Sequence, residues 1–288
     1  ECPRLVWTDR SERIVAGGTA ATITATGSDR FRRVQQEASA LLSNAAVETE
    51  TPARPRLYGG FAFTDTHTDP GEEGPWAGYP GAQFVLPAVQ VAETDAGAWL
   101  TTAATGPDAE QRAEARLGEW RTRLRELPAV ESTGPPGITE KSYAPPRADW
   151  QREIAEATAR IEDGHLRKVV LAQALTATLA EPITPADVLV RLGESYPDCF
   201  QFLFEPAAGG TFFGATPERL VSVDGRTIET EALAGSIGRG ETTEEDEWLA
   251  SQLRESDKNT HEHDIVVETI HEQLAPFTSD ITTGSRQI

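Results

Sequence analysis

Residues 209–240 read GGTFFGATPERLVSVDGRTIETEALAGSIGRG, and the fold is decided there. Two short runs of strand-forming residues flank a Gly-Ala-Thr-Pro-Glu turn. A third run leads into a small-residue turn, Ala234-Gly235-Ser236. Gly, Ala and Ser let backbone approach a ligand closely. Glu218 follows Pro217 and precedes an apolar run. Taken alone, it is either an exposed turn residue or, in an apolar setting, a carboxylic acid kept protonated to serve a leaving hydroxyl.

Outward from this stretch the same pattern continues. On the C-terminal side, TTEEDEWLASQLRES (242–256) reads as a helix whose acidic first turn suits the helix dipole. DKNTHEHDIVVETIHEQLAPF (257–277) reads as a second helix, ended by Pro276. On the N-terminal side, CFQFLFEP (199–206) is a strand with Phe200, Phe202 and Phe204 on one face. TPADVLVRLGES (184–195) is a helix with Thr184 as its cap and Pro185 at its first position. HLRKVVLAQALTATL (165–179) reads as one long strand. A helix covers about 149–162 and ends at Asp163-Gly164.

Further upstream, 128–146 reads as a Pro- and Gly-containing connecting loop, and 107–126 as a helix. Residues 82–93 and 98–104 read as strands. The Gly-, Pro- and Asp-rich 65–80 and the polar 45–55 read as loops. RLYGGFAF (56–63) is a strand, 30–44 a helix capped by Ser28 or Asp29, and 12–26 two strands around a Gly-Gly turn. Many strands, interspersed helices and links of hairpin length predict an α+β protein with largely antiparallel sheets.

Composition narrows the function. The 288 residues carry a formal net charge of −20, which argues against binding a phosphate backbone or an anionic lipid surface. No apolar run approaches the ~20 residues that span a bilayer, and no signal peptide is visible. The only lysines are Lys141, Lys168 and Lys258. Abundant Asp and Glu with scarce Lys reads as a salt-adapted cytoplasmic protein, in which high salt screens carboxylate repulsion. Cys2 and Cys199 are too few for a disulfide framework or a metal site. The chain holds no Met and stops at SRQI without a helix-ending signal. It therefore reads as incomplete at the C-terminus.

Three residues stand out chemically. Lys168 opens the apolar run VVLAQAL, where it is either a strand-end lysine reaching water or a desolvated amine able to act as a base. Glu262 lies at the edge of a helical apolar face, where a carboxylate suits a hard cation such as Mg²⁺. His261 and His263 flank it but point to different sides of the helix, so a metal shared between them is not expected. No Ser-His-Asp or Cys-His arrangement, phosphate-binding Gly loop or dinucleotide fingerprint has a credible context.

RKVVLAQAL, CFQFLFEP, FFGATPERL, TEALAGSIGRG and SDKNTHEHDIVVETI, in this order and spacing, resemble the chorismate-utilising enzymes. That family includes isochorismate synthases, salicylate synthases, the anthranilate synthase large component and aminodeoxychorismate synthase. RLYGGFAF and the FVLP strand are similar to it less specifically. The resemblance implies a layered α/β/β/α arrangement and a single chorismate-binding domain over 1–288. Residues 1–146 would be its N-terminal half and 147–288 the first part of its catalytic half.

The resemblance also implies roles. Lys168 matches the general base that activates water in isochorismate and salicylate synthases. Glu218 matches the acid that protonates the departing C4 hydroxyl. Ala234 stands where aminodeoxychorismate synthases carry a nucleophilic lysine, which disfavours the ammonia-using branches and an obligatory glutaminase partner. Thr216, Ala234, Gly235 and Ser236 match substrate-binding positions, and Glu262 a ligand of Mg²⁺. The implied activity is the isomerisation of chorismate to isochorismate for menaquinone or salicylate synthesis. Salicylate synthase, an anthranilate synthase component and a catalytically dead member of the fold are the alternatives.

Overall fold

The computed structural model describes residues 3–47, 54–67, 74–127, 134, 136–207 and 209–288. In chain order the elements are β1 (Arg4–Thr8), β2 (Glu12–Gly17), β3 (Ala21–Ala25), α1 (Arg30–Ser43), β4 (Tyr58–Phe61), β5 (Ala82–Leu86), β6 (Val89–Thr94), β7 (Gly97–Thr102) and α2 (Ala109–Glu126). There follow β8 (Ile138–Ala144), α3 (Arg147–Glu162), β9 (Ala174–Leu179), α4 (Pro185–Ser195), β10 (Phe200–Glu205), β11 (Phe212–Thr216), β12 (Ser222–Asp224) and β13 (Thr227–Glu229). The chain continues with α5 (Thr243–Glu255), α6 (Asp257–Leu274) and a 3-10 turn, Ala275–Phe277. It divides into two compact units, Glu1–Pro135 with Ile183–Pro217, and Pro136–Pro182 with Glu218–Ile288.

The first unit holds a six-stranded sheet in the order β11-β10-β1-β2-β6-β7 and a three-stranded sheet in the order β3-β5-β4. All their ladders are antiparallel. The chain changes sheet twice, at Gly18 and at Pro87. Gly18 takes φ +65°, which favours glycine, and Pro87 has no N–H to continue a ladder. The two crossings lie side by side, with Ala20 N donating to Leu86 O at 2.8 Å and Ala88 N to Gly18 O at 3.3 Å. The stretches 12–26 and 82–93 are therefore each two strands belonging to different sheets.

Leu5 and Ala16 of the larger sheet pack against Val85 of the smaller one. Ile23, Ala25 and Ala82 on the smaller sheet pack against Val34 of α1. Helices α2 and α4 lie on β7 and on β10–β11 of the larger sheet. Helix, sheet, sheet, helix is thus the layering within this unit, as expected. Ile14 and Val85 are the largest fully buried side chains, each worth about 1.5–3 kcal/mol of transfer free energy. At the rim, Arg56 Nη1 binds both oxygens of Glu12 at 2.6 and 2.8 Å, and the Tyr58 hydroxyl donates to Gln90 Oε1 at 2.7 Å. Burial pushes the Tyr58 phenol well above its ordinary 10.

The second unit is thinly covered. Ile265 is the one hydrophobic residue buried among its described residues. It contains the β8–β9 hairpin, the β12–β13 hairpin and helices α3, α5 and α6. Two expectations fail here. The long strand over 165–179 forms a ladder only at Ala174–Leu179, and Val170 is 80% exposed. An apolar run becomes a strand only where a partner strand accepts it, and 168–173 has none among the described residues. The expected loop 128–146 contains β8, whose polar ITEKSYA pairs with β9 from Ile138↔Leu179 to Ala144↔Ala174. Its pairing is tertiary and leaves no periodic signal. Residues 128–133 and 135, and parts of the loops 45–55 and 65–80, lie outside the described residues.

Helix ends follow the sequence more closely. Thr184 caps α4 through Asp187 N at 3.2 Å, and Thr242 caps α5 through Glu245 N at 3.2 Å. Asp29 stands at the start of α1 without a side-chain cap bond. Gly164, at φ +74°, closes α3, with His165 N returning to Arg160 O at 2.9 Å.

Candidate active site

The two arms of the β12–β13 hairpin carry two of the signature stretches. The ladder pairs Ser222 with Glu229 and Asp224 with Thr227, around Gly225 at φ +57°. Beyond the ladder the arms stay together. Thr230 Oγ1 donates to Leu220 O at 2.8 Å, and Arg219 reaches Glu229 Oε2 at 3.4 Å and Glu231 Oε1 at 3.9 Å. One arm thus ends in Pro217-Glu218 and the other runs on to Ala234-Gly235-Ser236. The third run expected before Ala234 forms as the short β13, Thr227–Glu229, and residues 230–240 carry no ladder.

Gly235 joins this hairpin to α6. Its φ is +82°, and a Cβ added there would meet Asn259 Oδ1, Cβ and Cγ at 3.0, 3.1 and 3.2 Å. Only glycine lets the turn approach the helix this closely in this conformation. Asn259 is anchored in turn, its Nδ2 donating to Ser256 Oγ at 2.9 Å at the start of α6. Glu262 and His263 are three and four residues further on, so they lie along the same side of α6 as Asn259. Glu262 is half-buried and pairs with Lys258 Nζ at 3.6 Å. Arg167 binds Glu268 Oε2 at 2.9 Å, tying the segment before Lys168 to the same helix. Lys168 follows directly in the same irregular segment. It is half-buried, and its ammonium has no hydrogen-bond or ion-pair partner among the described residues.

Of the expected site residues, Lys168, Glu218, Ala234, Gly235, Ser236 and Glu262 lie in the second unit. Thr216 ends β11 opposite Phe200 in the first. Glu218, Gly235 and Ser236 are exposed, while Lys168, Ala234 and Glu262 are half-buried. Of the two settings open to Glu218, the exposed turn is the one found among the described residues. A cleft of about 630 Å³ in the second unit is lined by Arg219, Leu233, His263, Val267 and Ile270 among others, and by none of those expected residues. The hairpin thus turns Arg219 to the cleft. The Nδ1 of His263 is buried without a hydrogen-bond partner. The sequence had used that histidine only to reject a shared metal. Asn259 and Arg219 gave no signal of their own there, because each acts through a contact that depends on the fold.

No group of three or more His, Cys, Asp and Glu side chains able to hold a metal is present among the described residues. Glu262 offers a single hard oxygen donor, already drawn to a cation at Lys258. That fits an ion which keeps several waters and takes one or two carboxylates together with a substrate carboxylate, as Mg²⁺ does. It does not fit a cation enclosed by protein ligands.

The hairpin thus begins at Glu218 on one arm and on the other leads to the Gly235 turn, which packs on the helix that carries Glu262. The chain belongs to the chorismate binding enzymes, whose family profile matches residues 2–287. Among its curated relatives, the salicylate biosynthesis isochorismate synthase of Pseudomonas aeruginosa is 32% identical over 282 residues, covering 96% of this chain and 58% of the relative. Isochorismate synthase MenF of Bacillus subtilis is 32% identical over 293 residues, covering 96% and 60%. The chain therefore spans well under two thirds of the length of these relatives. MenF of Escherichia coli, the menaquinone-specific isochorismate synthase, superposes with a TM-score of 0.71 at 22% identity over 98% of this chain and 59% of that one. Anthranilate synthase component I of Streptococcus pneumoniae gives 0.70 at 17% over 93% and 62%. The fold is that of the chorismate-utilising enzymes.

Proposed function

We propose that the protein to which this chain belongs is an isochorismate synthase, acting on chorismate without a glutaminase partner. The observation that carries the reading is the pair of residues at the two discriminating positions. A lysine, Lys168, stands at the base position, half-buried and without a counter-ion. Alanine, Ala234, stands on the hairpin arm where a covalent lysine would be needed. Water is then the nucleophile. The names of the relatives agree with this, whereas the two superposed structures, one of an isochorismate and one of an anthranilate synthase, are nearly equally similar and do not choose.

In this reading Lys168 takes a proton from water as the oxygen attacks C2 of chorismate. The ring double bonds shift. Glu218 gives its proton to the departing C4 hydroxyl, which leaves as water, so atoms and charge balance and the product is isochorismate. The two groups need opposite protonation states at the same pH, which is how an acid/base pair divides its work. The Gly235–Ser236 turn brings backbone N–H groups and a hydroxyl to the substrate. Glu262 would hold Mg²⁺ jointly with the ring carboxylate, whose charge the bound ion neutralises. In this reading residues 1–288 belong to a single chorismate-binding domain. No helix of the described residues is long and apolar enough to cross a membrane. The acidic composition supports a salt-adapted enzyme, and the likeness to the menaquinone-specific isochorismate synthase of Escherichia coli supports a role in menaquinone synthesis.

The test is to incubate the whole natural polypeptide with chorismate, with and without Mg²⁺, and to separate the products. Isochorismate formed only with Mg²⁺ and without ammonia is expected. Anthranilate or aminodeoxychorismate formed only with ammonia would refute the reading. Pyruvate and salicylate released without an added lyase would move it to salicylate synthase.

A further inference from the structure

We propose that Arg219 is a positioning residue, a clamp that fixes the Pro217–Leu220 arm, and with it Glu218, against the 229–231 arm. The proposal rests on the reading of Glu218 as the catalytic acid and adds to it the device that holds that acid. Glu218 is exposed and lies outside any ladder, so backbone hydrogen bonds of a strand do not set its place. Pro217 restricts the chain on its N-terminal side by fixing φ. On its C-terminal side the restraint comes from Arg219. The guanidinium spans two carboxylates of the other arm, Glu229 at 3.4 Å and Glu231 at 3.9 Å. The next residue, Leu220, accepts the Thr230 hydroxyl at 2.8 Å through its carbonyl.

Three links thus cross between the arms within two residues of Glu218. Ladder pairing between these arms ends at Ser222–Glu229. The Arg219 side chain is one-third exposed and lines the cleft beside α6. A planar guanidinium that engages two acceptors also resists rotation better than a lysine ammonium would.

The experiment compares wild type, Arg219→Ala, Arg219→Lys and the pair Glu229→Gln/Glu231→Gln in the whole polypeptide. Hydrogen exchange of peptides covering 217–221 and 229–233 is read by mass spectrometry, with the β1–β10 ladder as the control for global unfolding. Steady-state isochorismate formation is read alongside. Arg219→Ala and the double Gln variant should each speed exchange in both peptides and leave β1–β10 unchanged. Each should lower kcat by about 10- to 100-fold, the size expected for a catalytic group displaced by about 1 Å, with KM altered less than about threefold. Arg219→Lys should recover part of kcat. Combining Arg219→Ala with the Gln pair should add nothing, because all three changes remove one interaction.

Unchanged exchange in Arg219→Ala overturns the clamp. So does a double Gln variant that behaves as wild type. Faster exchange with unchanged kcat overturns the positioning role. A wild-type protein that forms no isochorismate defeats the functional reading instead, and the exchange data still decide the clamp.

Discussion

Gly235→Ala is the sharpest perturbation of the proposed site, because the structure assigns its cost to two separate sources. The residue sits at φ +82°, a conformation that costs a non-glycine residue about 1–2 kcal/mol. The new Cβ would also approach the Asn259 side chain to 3.0–3.2 Å, short of ordinary contact, so turn and helix must part by a few tenths of an ångström. A combined penalty of about 1.5–3 kcal/mol on the native turn corresponds to a loss of roughly 10- to 100-fold in kcat/KM. This holds if the Ala234–Ser236 turn touches the substrate in the transition state. The assay is isochorismate formation at subsaturating chorismate, paired with thermal unfolding. Asn259→Ala in the same chain removes two of the three close atoms and keeps the Cβ at 3.1 Å. It also loses the bond to Ser256. Partial recovery of rate in the double variant is expected, with the backbone component remaining. Gly235→Ala with wild-type rate and melting temperature would refute the packing of this turn on α6. A lowered melting temperature with unchanged kcat/KM would refute its contact with substrate.

Other outcomes follow from the same structure. Lys168→Ala and Glu218→Gln should each abolish turnover and leave chorismate binding, read by calorimetry, within about threefold; full activity in either removes its assigned role. Hydrogen bonds from Arg239 (2.7 and 2.6 Å) and from Gly240 N (2.9 Å) hold the Asp246 carboxyl at a pKa of about 2, below its ordinary 3.8. A depressed carboxylate stabilises the fold above its unfolded value, and that contribution is lost as pH falls from about 4 through 2. Carboxyl-detected NMR should find Asp246 titrating near 2, and a value near 4 would deny the pairing in solution. The charge of −20 predicts that molar KCl raises the melting temperature by screening carboxylate repulsion; a flat or falling dependence would remove the salt-adapted reading.

Much of the layered unit was legible in its residues. Phe200, Phe202 and Phe204 share one face, and β10 forms where they predict it. Thr184 and Thr242 start the helices they were expected to cap. Legibility failed where pairing is decided at a distance. The polar ITEKSYA becomes a strand because β9 lies beside it, and apolar Val169–Leu171 remains outside any ladder. The Gly-Gly turn at Gly18 marked a break, whereas Pro87 lies inside the stretch 82–93 read as a strand, and nothing local showed that the chain passes into a second sheet at either point. At the site the same division holds. Lys168, Glu218, Ala234 and Glu262 are chemically distinctive types at distinctive spacing. Arg219, Asn259 and His263 matter through contacts with residues 10 to 24 positions away or through loss of water, which spacing does not express.

By itself, the sequence determined the family and the α+β class, and it carries the proposal of water as nucleophile, because these depend on residue identity at fixed positions: a lysine at 168 and no lysine at 234. The tertiary structure decided that Ser222–Asp224 and Thr227–Glu229 pair as a hairpin, one arm of which begins at Glu218 while the other runs on to ALAGS, and that Gly235 seats the second arm on α6. It also decided that Glu218 is exposed and that its neighbour Arg219 pairs with Glu229 and Glu231. Side-chain identity is local and survives in the sequence, whereas ladder register, close approach and burial are properties of pairs of segments and come into being only when the chain folds.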